Sequence, residues 1–156
     1  MSVMHVRLIA VGKVRERYIA DALADFRARL RPYHRFEEIE VRAADGADPV
    51  RAMRAEGQAI LKLLEPADRV WLLERSGELL ASDEVSRRIE RLPHDGVTRL
   101  VLIVAGTYGA SEALLARADL RWSLSPLTFL HEWARVLAVE QLYRAAKIAR
   151  DEPYHH

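Results

Sequence analysis

Cysteine is absent from the 156 residues, so no disulfide framework, thiolate nucleophile or cysteine-based metal site is available. Net charge is almost absent too. Lys and Arg number 24 against 23 Asp and Glu, a formal +1, so charge alone does not announce a nucleic-acid binder. No apolar run approaches the roughly 18 residues that a bilayer span needs. The opening residues alternate apolar and polar and lack the apolar stretch of a signal peptide. Repeats, low-complexity tracts and linkers are also missing. These absences predict a soluble, cytoplasmic protein that touches no membrane and forms one domain over 1–156. What remains is ordinary: half the residues are apolar and 30% are charged, enough for a real core. Arg greatly outnumbers Lys, which suits phosphate contacts; genomic composition accounts for it equally well.

The apolar residues are spaced so that strands and helices alternate. Val6, Leu8, Ala10 and Val11 predict a first strand, closed by Gly12. Ile19, Leu23, Phe26 and Leu30 recur at three- and four-residue intervals, predicting a helix over Tyr18–Leu30 that Pro32 stops. Phe36 to Val41 alternates as a second strand, and Ala43 to Ala47 is a loop. Asp48 and Pro49 then supply an N-cap and a first-turn proline for a helix reaching about Leu64. Val70-Trp71-Leu72-Leu73 has the continuous apolar character of a strand buried on both faces. Ser76-Gly77 reads as a turn and Ser82 as the cap of a helix marked by Val85, Ile89 and Leu92. Pro93-His94-Asp95-Gly96 ends that helix and leads to a strand over Leu100–Val104. The fold class expected is α/β, a mainly parallel sheet with helices on both faces.

Chemistry concentrates in the last third. The strand ending at Val104 runs into Ala105-Gly106-Thr107-Tyr108-Gly109, where glycine permits positive φ and close approach of a ligand to the backbone. As a dinucleotide fingerprint it is poor, because Val104 stands where the first Gly of GxGxxG belongs. Leu124-Ser125-Pro126-Leu127-Thr128-Phe129 can offer backbone groups to an adenine edge while Leu124, Leu127 and Phe129 enclose the ring. An ordinary strand-to-helix turn and a proline-bearing connection explain these two stretches as well. His131-Glu132 begins like a zinc-protease HExxH, but position 135 is Arg, so that motif fails and no metal site is expected. The helix from about Glu132 to Arg150 is too apolar for a single stripe, which implies cover on more than one side, within the monomer or in a homodimer seam. Arg144, Lys147 and Arg150 can reach phosphates, or form a solvated last turn favoured by the helix dipole. In the tail, Pro153-Tyr154-His155-His156, an aromatic beside imidazoles can stack on a base and accept a proton.

In their order and spacing, Ala105-Gly106-Thr107-Tyr108-Gly109, Ser123 to Phe129, Arg135-Val136-Leu137, Glu140-Gln141-Leu142-Tyr143-Arg144-Ala145 and Pro153-Tyr154-His155 resemble the RlmH family, the large-subunit ribosomal RNA pseudouridine N3-methyltransferases. The resemblance covers essentially the whole chain, including the opening Leu8-Ile9-Ala10-Val11-Gly12-Lys13. It implies a SPOUT fold, with the C-terminal segment threaded into a trefoil knot, and an obligate homodimer. It also implies S-adenosylmethionine in the knot, against Leu73, Ala105, Gly106, Leu124, Ser125, Pro126, Leu127, Thr128 and Phe129. The substrate implied is a pseudouridine in the 23S ribosomal RNA hairpin facing the decoding centre, on the assembled ribosome.

The chemistry implied is in-line attack of the base's N3 on a sulfonium methyl, which requires alignment and loss of the N3 proton. His155 is expected as base or proton relay, and Tyr154 as the residue that positions the nucleotide. Arg135 or Arg144 is expected to hold phosphate or the developing uracil anion. Two positions depart from the family. Ala105 stands where the first of two glycines is usual, and Leu130 where proline precedes the histidine. If position 105 requires positive φ, alanine costs about 1 kcal/mol there; otherwise its methyl only narrows the pocket. Two alternatives stand beside the methyltransferase: an inactive ribosome-binding protein of the same fold, and a small nucleotide-dependent oxidoreductase supported only by the glycine turn.

Overall fold

Five parallel strands make one sheet in the computed structural model, which describes residues 3–46 and 48–155. They are β1 (His5–Val11), β2 (Arg35–Val41), β3 (Arg69–Leu79), β4 (Arg99–Val104) and β5 (Leu120–Ser123), in the spatial order β2-β1-β4-β3-β5. The helices are α1 (Arg17–Leu30), α2 (Pro49–Leu61), α3 (Ser82–Arg91), α4 (Glu112–Arg117) and α5 (His131–Ala149). Ala47 and His156, assigned above to a loop and to the tail, lie outside the described residues.

Parallel strands joined by helices are covered on both faces, and the side-chain alternation shows it. On β1 and β4, Val6, Leu8, Ala10, Leu100, Leu102 and Val104 face α1, α3 and α5. Ile9, Val11, Val101 and Ile103 face α2 and α4 on the other side. Central β4 therefore has no polar position from Leu100 to Val104, and full burial of each Leu or Ile contributes about 1.5–3 kcal/mol. Asp48 caps α2 as expected, its side chain accepting from the Val50 amide.

Several boundaries differ from the sequence expectations. Ser76-Gly77 is not a free turn, because β3 continues to Leu79 with a bulge in which both Leu73 and Glu78 pair with Trp122 of β5. A Cβ on Gly77 would lie 2.3 Å from the Arg121 carbonyl oxygen, so glycine is needed where the bulge crosses β5. Ser82 does not cap α3: it is the first helical residue, and its hydroxyl donates to Gln141 Oε1 of α5 at 2.7 Å. The helix expected to reach Leu64 ends at Leu61, followed by looser turns. Strand β5 was not expected; its four residues are too few to show a period. The apolar excess of α5 is accounted for within one chain, since the helix packs on both α1 and α3 over the sheet.

Among the described residues, no helix is long and apolar enough to cross a membrane.

Candidate functional site

The carboxyl ends of β4 and β5 and the bulged middle of β3 open into a cavity of about 420 Å³. Ligands of open parallel sheets bind at this edge, where strand ends release their loops. Val104 leads into the turn Ala105–Ala110 on one wall, while Leu73, Glu74 and Arg75, where β3 bulges, form another. The β5–α5 loop covers the space with Leu124, Ser125, Leu127, Thr128 and Phe129, and the first turn of α5 adds His131 and Ala134. Eight of the nine residues named for the cofactor are thus gathered here: Leu73, Ala105, Gly106, Leu124, Ser125, Leu127, Thr128 and Phe129. Pro126, the ninth, is exposed and does not line the space.

The turn is shaped from behind. Gly109 has φ +87° and its amide donates to the Gly106 carbonyl at 3.0 Å. Ala105 has no positive φ, so the methyl that replaces the usual glycine carries no backbone strain. Gly106 is required for a different reason than the one the sequence suggested. Its φ is not positive either, but a Cβ there would lie 2.8 Å from Glu56 Oε1 and 3.0 Å from Val11 Cγ1. Glu56 is a buried carboxylate of α2; its Oε2 accepts from the Ala44 amide at 3.0 Å, and its Oε1 has no partner among the described residues. The loop above is pinned by Arg75, whose guanidinium donates to Thr128 Oγ1 at 2.9 Å. Ser125 Oγ accepts from the Leu127 amide at 3.0 Å.

The tail forms a second cluster. After α5, Asp151 adopts φ +53° and the chain folds back, with Glu152 Oε2 accepting from Tyr33 Oη at 2.8 Å and Lys147 Nζ at 2.9 Å. Tyr154 then lies edge-on to Tyr143, with centroids 4.8 Å apart, and donates to Glu140 Oε1 at 3.0 Å. The same carboxylate oxygen takes two bonds from Arg144, whose guanidinium also covers the Tyr154 ring at 4.7 Å. Arg144 Nη1 reaches His155 Nδ1 at 3.1 Å. Burial, and then the bond to Glu140, raise the Tyr154 phenol above its ordinary range, so it stays protonated at neutral pH. Tyr154, His155 and Arg144 are therefore brought together, but none of them lines the cavity. From Ala134 to Arg144, α5 advances ten residues, about 15 Å at 1.5 Å each.

Arg135 belongs to neither group. It is 1% exposed, paired with Glu40 Oε2 at 2.9 Å, and bonded to the carbonyls of Val11 at 3.0 Å and Gly12 at 2.5 Å. Its guanidinium is occupied by protein and does not face the cavity. Sequence reasoning did not name Glu74 or Arg75 in the cavity wall; it weighed His131 only as a metal ligand and gave Glu140, now in the tail cluster, no role of its own. The first two directly follow the apolar run Val70–Leu73, where β3 begins its bulge. Glu140 stands four residues before Arg144 on one helix face, a legible pairing.

Known proteins resemble this chain over nearly all of its length. The family described as "Predicted SPOUT methyltransferase" matches residues 4–155. A ribosomal RNA large subunit methyltransferase H of Gloeobacter violaceus is 41% identical over 98% of this chain and 99% of its own. That of Pelobacter propionicus is 40% identical over 98% and 100%, and that of Moorella thermoacetica 38% over 97% and 99%. Among solved structures, the SpoU methyltransferase AviRb of Streptomyces viridochromogenes, in complex with AdoMet, gives a TM-score of 0.49 at 12% identity. That match covers 97% of this chain and 60% of AviRb.

Proposed function

We propose a reaction for this chain from the premise that it belongs to the SPOUT methyltransferases and, within them, to the RlmH family. It transfers the methyl group of S-adenosylmethionine to N3 of a pseudouridine in 23S ribosomal RNA, acting on the assembled ribosome. The observation that carries this reading is the cavity, which gathers backbone groups, an apolar clamp and one ion of each sign at the ligand edge of the sheet. Its volume of about 420 Å³ suits a nucleoside-sized ligand. Leu73, Leu124, Leu127 and Phe129 would enclose an adenine ring, and the Ala105–Gly106 and Ser125–Thr128 backbone would meet its polar edge. Arg75 and Glu74 supply charges suited to an amino acid's carboxylate and ammonium groups. Bound there, S-adenosylmethionine supplies an electrophilic methyl. The ordinary backbone at Ala105 removes the strain argument for an inactive relative.

The cavity and the Tyr154–His155 cluster stand roughly 15 Å apart along α5. One site using both takes the tail of a second copy, so the acting species is a homodimer. The exposed apolar side chains of Leu130, just before α5, and Trp133 in its first turn, with Tyr18 against Trp133 at 5.7 Å, provide a surface for that copy beside the cavity. The C-terminal segment runs from edge strand β5 back across the sheet to place Arg135 on the end of β1, a path that suits a trefoil knot within a single domain.

In the tail, Arg144 donates to His155 Nδ1, which puts the proton of the neutral imidazole on Nε2. When Arg144 turns to the uracil anion or a phosphate, Nδ1 is freed to take the N3 proton. Tyr154, held as a phenol, orients the base by stacking. Arg135 is a positioning residue that shapes the end of β1. Titration with S-adenosylhomocysteine, followed by methyl transfer to unmethylated ribosomes, tests the reading. Wild type is expected to bind saturably, and His155→Ala to keep that affinity while turnover falls about 10²- to 10⁴-fold. Full turnover by His155→Ala would refute the base; absence of ligand binding by the wild type would refute the whole reading.

A further inference from the structure

We propose that the loop between β1 and α1, together with the first turns of α2, is a platform for the phosphodiester backbone of the RNA substrate, flanking the cofactor cavity. The inference rests on the methyltransferase reading above and adds a separate site to it. The loop is built more firmly than its own side chains require. Gly12, at φ +86°, donates its amide to the Val41 carbonyl, and the Val11 and Gly12 carbonyls take the buried Arg135. Glu40 Oε2 accepts from the Val14 amide at 3.2 Å, and Glu132 Oε1 accepts from the Arg15 amide. An arginine that is 1% exposed and two carboxylates thus define the backbone path of five residues that send only Val14 toward the core.

What that loop displays is positive. Lys13, Arg15 and Arg17 are exposed, as are Arg51 and Arg54 on one face of α2. None of these five forms an ion pair or side-chain hydrogen bond among the described residues. Other arginines are engaged differently: Arg7, Arg27, Arg87, Arg88 and Arg99 are each closed on a carboxylate. Residues 12–17 and 42–54 carry six Lys or Arg (13, 15, 17, 42, 51, 54) and three acids (16, 45, 48), a net +3. The whole chain carries +1, so everything else sums to −2. Unpaired guanidinium and ammonium groups on a backbone held in place are the chemistry of phosphate contact.

The platform adjoins the cavity. Strand β1 is hydrogen-bonded to β4, which delivers the cofactor turn, and a Cβ on Gly12 would lie 4.0 Å from His131 Nε2 in the cavity wall. A base brought to the methyl group at the cavity mouth would have its flanking phosphates beyond the carboxyl ends of β1 and β2.

The test compares two triple variants of the full-length protein that remove the same charge. Lys13→Ala/Arg15→Ala/Arg17→Ala strips the platform. Arg31→Ala/Arg35→Ala/Lys62→Ala removes three other exposed cations that make no ion pair among the described residues. Binding to a naked hairpin RNA of the large subunit is followed by anisotropy across a salt series, and methylation of unmethylated ribosomes by initial rates. For the platform variant, the slope of log K against log salt is expected to fall by about 2–3, with affinity at 0.1 M salt at least about tenfold weaker. Its KM for ribosomes rises while kcat and S-adenosylhomocysteine affinity are kept. The second variant stays near wild type. Equal losses in both variants would reduce the platform to a diffuse field and overturn the proposal. A raised ribosome KM with unchanged RNA binding would assign the loop to a ribosomal protein and also overturn it. Wild-type methylation and ligand binding, measured alongside, report on the underlying reading independently.

Discussion

Replacing Arg135 with Met separates an anchoring role from a substrate-binding one. The substitution removes a guanidinium that is 1% exposed and makes three hydrogen bonds. The carbonyls of Val11 and Gly12 lose their donor, and each acceptor left buried and unpaired costs about 1–3 kcal/mol. The Glu40 partner adds little, because its side chain is 46% exposed and rehydrates when the pair is broken. Arg135 Nε has no partner among the described residues, and its desolvation is relieved by the change, which offsets part of the loss. A net destabilisation of about 3 kcal/mol remains, or roughly 6–12 °C in Tm for a chain of this size. Urea unfolding followed by far-UV circular dichroism measures it. Glu40→Gln, which keeps an acceptor for Arg135, should lose less than about 1 kcal/mol. Hydrogen exchange at Gly12, Val14 and Arg15 should quicken in the Met variant before that of β4. The reasoning is refuted if Arg135→Met unfolds within about 1 kcal/mol of wild type while turnover collapses and ligand binding survives. Arg135 would then be acting on substrate.

Other expectations are narrower. Gly106→Ala puts a methyl against Glu56 and Val11, so it should lose about 1–3 kcal/mol and weaken S-adenosylhomocysteine binding; adding Glu56→Ala should restore part of both, as calorimetry and unfolding would show. Ala105→Gly relieves no strain, because Ala105 has no positive φ, and should instead destabilise by about 0.4–1 kcal/mol through the unfolded chain. His34 accepts from the Met4 amide, and burial first, then Arg150, push its pKa from 6.5 down to about 4. The folded state therefore holds fewer protons between those values. This contribution is complete above pH 6.5 and falls by about 3 kcal/mol as pH drops toward 4. His34→Asn should flatten that part of the unfolding profile between pH 7 and 4.5.

How much of this was legible in the sequence depends on the range of the cause. Strand β1, helix α1 and the Asp48-Pro49 start of α2 follow from local periodicity and capping, and all three stand where the spacing put them. The long β3 was hidden because Ser76-Gly77 reads as a turn when nothing says that β5 lies alongside; the glycine is there for the Arg121 carbonyl. Glu56 gave no local sign, since its place under Gly106 depends on α2 packing beneath a turn fifty residues later. Of the two loops facing each other across the cavity, the glycine turn was legible because it follows an apolar strand, and the second from its proline among small polar and apolar residues. The separation of roughly 15 Å along α5 between cavity and tail was not, because motif order along a chain carries no distance.

The strand order has a consequence for how the chain reaches this structure. Strand β4, which delivers the glycine turn, lies between β1 and β3, and its pairing with β1 joins Val6 to Leu100. No local hairpin can begin such a sheet. Its central ladder forms only after a long closure, and topologies dominated by distant contacts fold slowly for their size. The ligand edge is therefore among the later features to appear, and until it does, the apolar faces of β4 lie open to other chains. Expression temperature and chaperone supply should thus govern the yield of active protein more than any single side chain in the cavity.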